Sequence, residues 1–164
     1  PAVVPAPGAA GPTPLYKFPA DPTQACYPLA HPMADDAGGT THTGRVSVAG
    51  AASNEEAERA ARKVAESQLV KCSWYGNDPY WGRILSELGS AGVDIDMGAV
   101  TIAYDHIVVA RGGEAVAHDA AKVASHMKAR PLSIQCDLGI GTGSWWLLTN
   151  DLTHASIDEN MGTA

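Results

Sequence analysis

The spacing of apolar positions changes several times along residues 45–164, and each change marks an element. Arg45-Val46-Ser47-Val48-Ala49-Gly50 alternates at period two and stops on glycine, which predicts a short strand. Ala57, Ala60, Ala61, Val64 and Ala65 then recur at helical spacing to about Ser67, with Glu55, Glu58, Arg59, Arg62 and Lys63 outside. Ser53 and Glu56 form a capping box at the start of that helix. Its buried face is made of small residues, which implies close approach to a sheet. Leu69–Trp74 reads as a second strand. Trp81, Ile84, Leu85 and Leu88 follow on one helical face, with Asn77 or Asp78 as cap, Pro79 in the first turn and Gly89 as a left-handed stop.

Beyond a loop at Ser90–Gly98, Val100–Ala110 reads as a hairpin turning at Asp105-His106. Val116, Ala120, Val123, Ala124 and Met127 sit at helical spacing, and Pro131 ends that helix. Leu132, Ile134, Cys136 and Leu138 alternate with Ser133, Gln135 and Asp137, a strand buried on one face that turns Cys136 into the core. The run Gly139-Ile140-Gly141-Thr142-Gly143 leads into a strand, Ser144–Thr149, and not into a helix N-terminus. It therefore reads as a hairpin turn and not as a nucleotide-binding loop. Trp145 and Trp146 must face opposite sides of the sheet. The order strand, helix, strand, helix, hairpin, helix, strand, strand predicts an α+β fold, a mixed β-sheet with helices packed on one face.

The first 44 residues break this regularity. Nine of the eleven prolines of this 164-residue chain lie in its first 32 positions. No helix interior tolerates that density, so 1–44 reads as a proline-rich arm and 45–164 as the α+β domain. Pro1 reads as the start of the chain and not as a catalytic amine. His31, Asp35, Asp36 and His42 lack the spacing of an established metal site and read as a solvated loop. A net charge of −7 without a basic run argues against nucleic acid. No apolar stretch approaches a membrane span, and Cys26, Cys72 and Cys136 are too few and too scattered for a disulfide framework, so a cytoplasmic setting is expected.

Leu69-Val70-Lys71, Gly76, Asp78-Pro79-Tyr80-Trp81-Gly82-Arg83 and Ile84-Leu85 together resemble the LVK…DPNWGR segment of ornithine acetyltransferase (glutamate N-acetyltransferase), with Tyr80 in place of Asn. Asp36, Gly39 and Thr41 match the D-G-E-G-A-T-K run that precedes the family's corresponding strand. Gly38 stands at its acidic position, whose side chain contacts substrate in the family, and His42 replaces its Lys. Arg111-Gly112-Gly113 and the ending from Asn150-Asp151-Leu152-Thr153 to Asn160 are similar as well.

The resemblance identifies the chain with the C-terminal part of the β chain of a self-cleaving, layered α/β/β/α acyltransferase. It implies acetyl transfer from N-acetylornithine to glutamate through an acyl-Thr intermediate, without a cofactor, in a heterotetramer with a companion α chain and a second α/β pair. Asn160 and Thr163 are the substrate-binding residues it implies. The nucleophilic Thr is expected outside this stretch; Thr13, lying among prolines, does not qualify. Two other readings stay open: an inactive remnant serving as a scaffold, and a relative with a changed acyl substrate or aminopeptidase activity.

Overall fold

The computed structural model describes residues 38–161, apart from the side chain of Asn160. Residues 1–37 of the proline-rich arm, with Cys26, His31, Asp35 and Asp36, and also Thr163 lie outside the described residues. The elements are β1 (Thr43–Ala51), α1 (Asn54–Glu66), α2 (Gln68–Tyr75), α3 (Trp81–Gly89), β2 (Thr101–Tyr104), β3 (Ile107–Arg111), β4 (Glu114–Ala115), α4 (Ala120–His126), β5 (Pro131–Asp137), β6 (Gly143–Asn150) and α5 (His154–Met161). The strands form one mixed sheet in the order β4-β3-β2-β5-β1-β6, an α+β fold as expected.

β1 organises the sheet. It pairs parallel with β5, Val46 opposite Ile134, and antiparallel with β6, Val46 opposite Leu147. Because β1 lies between β5 and β6, the glycine run joining them is a crossover and not the expected hairpin turn. It passes over the end of β1, where the Ile140 and Gly141 amides both donate to the Gly50 carbonyl (2.7 and 2.8 Å). Glycine spacing alone reports flexibility, not which strand lies between its neighbours.

Ser53 caps α1 as the pattern predicts, its hydroxyl accepting the Glu56 amide. The alanine face of α1 is fully buried with Val46, Val48, Ile102 and Ile134 in one core. The expected strand at Leu69–Trp74 is instead helix α2. Ser67 caps it by accepting the Val70 amide at 3.3 Å. Val70, Ser73 and Trp74 are buried while Leu69 is 61% exposed, a helical spacing hidden in a short apolar run.

Asn77 and Asp78 terminate α2 rather than cap α3. Asn77 is left-handed (φ 53°). Its amide reaches the Trp74 carbonyl and the Asp78 amide the Ser73 carbonyl (2.9 and 2.8 Å), the crossed bonds of a Schellman ending. Tyr80 takes the cap position of α3 without a side-chain hydrogen bond. Gly89 lies inside α3, and the left-handed glycine comes at Gly92 (φ 67°).

The hairpin turn has Asp105 and His106 both left-handed, as a two-residue type I′ connection requires. The helix expected from Val116 begins at Ala120, because Val116 donates to the Val109 carbonyl beside the short strand β4 and Asp119 caps the helix. Trp145 packs on the core, whereas Trp146 on the other face lies under the Arg45 guanidinium, 4.4 Å from the ring centroid.

Cys136 is buried, as its strand pattern predicts. Burial first, and then the Asp137 charge, push its thiol up to about 12. Cys72 is exposed. At pH 8 iodoacetamide should therefore label Cys72 and leave Cys136 unmodified until the chain is unfolded. Peptide mass mapping before and after urea checks this, and equal native labelling at both sites contradicts the buried register of β5.

Candidate functional site at the loop–tail junction

Two stretches far apart in sequence meet at one end of the sheet: Gly38–His42, entering β1, and Asn150–Met161, leaving β6. Neighbouring antiparallel strands make this meeting necessary, since Thr43 lies opposite Asn150. The Asp151 amide extends the pairing by donating to the His42 carbonyl at 3.1 Å.

Asp151 is the centre of the junction. Its side chain is fully buried, and that of His42 is 8% exposed. Oδ1 accepts the Thr41 amide at 3.0 Å. Oδ2 lies 2.9 Å from Nδ1 of His42 and also accepts the Thr41 hydroxyl. The same hydroxyl is 2.8 Å from Nδ1. A buried carboxylate is tolerated only with such partners, and here it has one on each side of the loop. His42 is thus not part of a solvated loop. The His–Asp separation of 109 residues is what hid the pairing from sequence reasoning.

A second set of bonds fixes α5. The Thr153 hydroxyl donates to the Gly39 carbonyl (2.5 Å) and accepts the Ser156 amide (3.0 Å), capping the helix. Gly39 is left-handed (φ 71°), and a Cβ there would stand 2.5 Å from the Ser156 nitrogen. Only glycine serves both demands. The Glu159 carboxylate fills the space where a side chain at Gly38 would lie. The start of the tail, from Asp151 to Ser156, is therefore tied to the loop by hydrogen bonds, while Ile157 and Met161 further along α5 are exposed. Asn160 belongs to its last turn; Thr163 lies beyond the described residues.

The DPYWGR turn, by contrast, is taken up with structural bonds. Nη1 of Arg83 donates to the Leu69 carbonyl (3.0 Å), tying α3 to α2, and the guanidinium lies 5.5 Å from the Tyr80 ring centroid. Beneath it the Tyr104 hydroxyl is buried without a hydrogen bond, and its ionisation is pushed well above the ordinary phenol range, chiefly by burial. Among the described residues no group of three or more His, Cys, Asp or Glu is arranged to hold a metal ion. No described helix is long and apolar enough to cross a membrane.

The ArgJ family matches residues 2–162. The chain belongs to the ArgJ family. The arginine biosynthesis bifunctional protein ArgJ of Thermobifida fusca is 36% identical over 96% of this chain and 41% of its own length. That of Zymomonas mobilis is 37% identical over 84% of this chain and 34% of its own. The crystal structure of ArgJ from Bacillus halodurans superposes with a TM-score of 0.79 at 34% identity, covering 84% of this chain and 65% of that one. The chain thus spans well under half the length of the curated ArgJ relatives it matches.

Proposed function

We propose that this chain forms part of a glutamate N-acetyltransferase that moves an acetyl group from N-acetylornithine to glutamate, in arginine or related amino-acid biosynthesis. The nucleophilic Thr then resides on a segment outside this stretch, released by self-cleavage, and attacks the acetyl carbonyl to form an acyl-enzyme. A companion α chain and a second α/β pair complete a cytoplasmic heterotetramer. No cofactor enters the exchange. Asn160 and Thr163 close over the substrate.

The observation that carries this reading is the junction itself. The loop Gly38–His42 and the helix bearing Asn160 are the two stretches where the resemblance implies substrate contact, and Asp151, Thr153 and Gly39 lock them together. One feature favours a changed acyl substrate within the same reaction class. Gly38 offers no side chain at the acidic position, and the carboxylate occupying its space comes from Glu159 on α5.

The test is acetyl transfer from N-acetylornithine to glutamate by the protein with every chain it contains. Transfer should occur and should fall on the order of 10²-fold in Asn160→Ala, as for loss of a positioned polar contact to the reacting group. No transfer, with the companion chain and its N-terminal Thr confirmed present, rejects the assigned substrates.

A further inference from the structure

The hydrogen bonds of His42 fix more than the position of α5. The Asp151 carboxylate can only accept, so Nδ1 of His42 must carry a proton toward it whether the ring is neutral or charged. In the neutral ring the other nitrogen, Nε2, then holds a lone pair. Nε2 bonds to nothing among the described residues, yet it is not sealed inside the core as the Tyr104 hydroxyl is. Among the charged and titratable groups on the adjoining elements (Arg45 on β1, Asp151 after β6, and His154, Asp158 and Glu159 on α5), only Asp151 comes within ion-pairing distance of the ring. A buried carboxylate orienting an imidazole whose far nitrogen is open is an arrangement suited to taking a proton.

We propose that His42, oriented by Asp151, is the proton acceptor for the amino group of the amino-acid substrate at the loop–tail junction. This rests on the acetyl-transfer reading for the identity of the amine. An amino acid arrives as an ammonium ion and must lose one proton before its nitrogen can attack an acyl group. That proton passes to Nε2 of His42, leaving a neutral amine and an imidazolium whose Nδ1–H stays on Asp151. In the reverse half-reaction the imidazolium returns the proton to the departing amine, so the exchange consumes none. His42 stands where the family resemblance has Lys, and its ring can take a proton at Nε2 while Nδ1 stays on Asp151.

Two measurements decide it. The first is nitrogen NMR of the protein with every chain it contains, labelled at histidine. His42 should show a protonated Nδ1 and a bare Nε2, and Nε2 should shift on adding glutamate but not glutarate, which lacks the amine. A neutral ring protonated at Nε2, or equal response to both ligands, overturns the proposal. This readout stands even if acetyl transfer fails, which would instead reject the assigned reaction.

The second is His42→Asn, whose side-chain amide can keep a donor on Asp151 while removing the far nitrogen. Its unfolding midpoint should stay near that of the parent, while kcat/KM for the amine acceptor falls on the order of 10²- to 10⁴-fold and the acidic limb of its pH profile disappears. Parental kcat/KM with the limb intact overturns the assignment.

Discussion

Asp151→Ala should cost about 1–3 kcal/mol of stability, the range for leaving a buried donor without its acceptor. The substitution strips the Thr41 amide, the Thr41 hydroxyl and Nδ1 of His42 of their shared acceptor; His42 is buried, whereas Thr41 lies on the exposed side of the loop. The buried His42 donor then bears its desolvation cost, while the Thr41 donors can turn to water. The loss should be local before it is global. The amides of α5 should exchange with solvent much faster than those of β1, because Asp151 ties the start of the tail to the loop. Urea denaturation monitored by tryptophan fluorescence, with hydrogen exchange on the same variant, checks both parts. A midpoint within a few tenths of a molar of the parent would show that strand pairing alone holds the junction. Asp151→Asn keeps the shape and one acceptor oxygen, so its cost should fall between those of the parent and the alanine variant.

Gly44→Ala should be nearly as damaging, for a steric reason. Gly44 lies on β1 against the Trp74 side chain, and a Cβ there would overlap Cζ3 and Cη2 at the outer edge of that fully buried ring. Neither partner can retreat, since Gly44 is held between β5 and β6 and Trp74 is packed on all sides. Overpacking of this kind costs about 1–3 kcal/mol and more where both walls are rigid. The cause can be isolated by a double-mutant cycle. Trp74→Phe removes the outer ring atoms that the new methyl meets, so Gly44→Ala should cost much less in that background than in the parent. Equal costs in the two backgrounds would place the damage in the strand and not at this contact.

Sequence alone determined the parts that answer to short-range periodicity. The Ser53 cap of α1, its alanine face, the Asp105-His106 turn and the alternation of β5 all follow from side-chain spacing within a few residues. The tight segments around DPYWGR and Asn150-Asp151-Leu152-Thr153 also sufficed to indicate the ArgJ family. Sequence failed at Leu69–Trp74 because six residues satisfy both the strand and the helix period, and the choice rests on which side chains a neighbouring sheet will bury.

Tertiary structure alone decided that β1 enters between β5 and β6, which turns the glycine run into a crossover. It also decided the site. His42 and Asp151 each look like ordinary polar residues in their own stretch of sequence. They become a buried pair because antiparallel pairing of β1 with β6 brings the two chain ends of the sheet together. Long-range pairing leaves no periodic trace in either segment, and only the assembled sheet can make a carboxylate orient an imidazole across that distance.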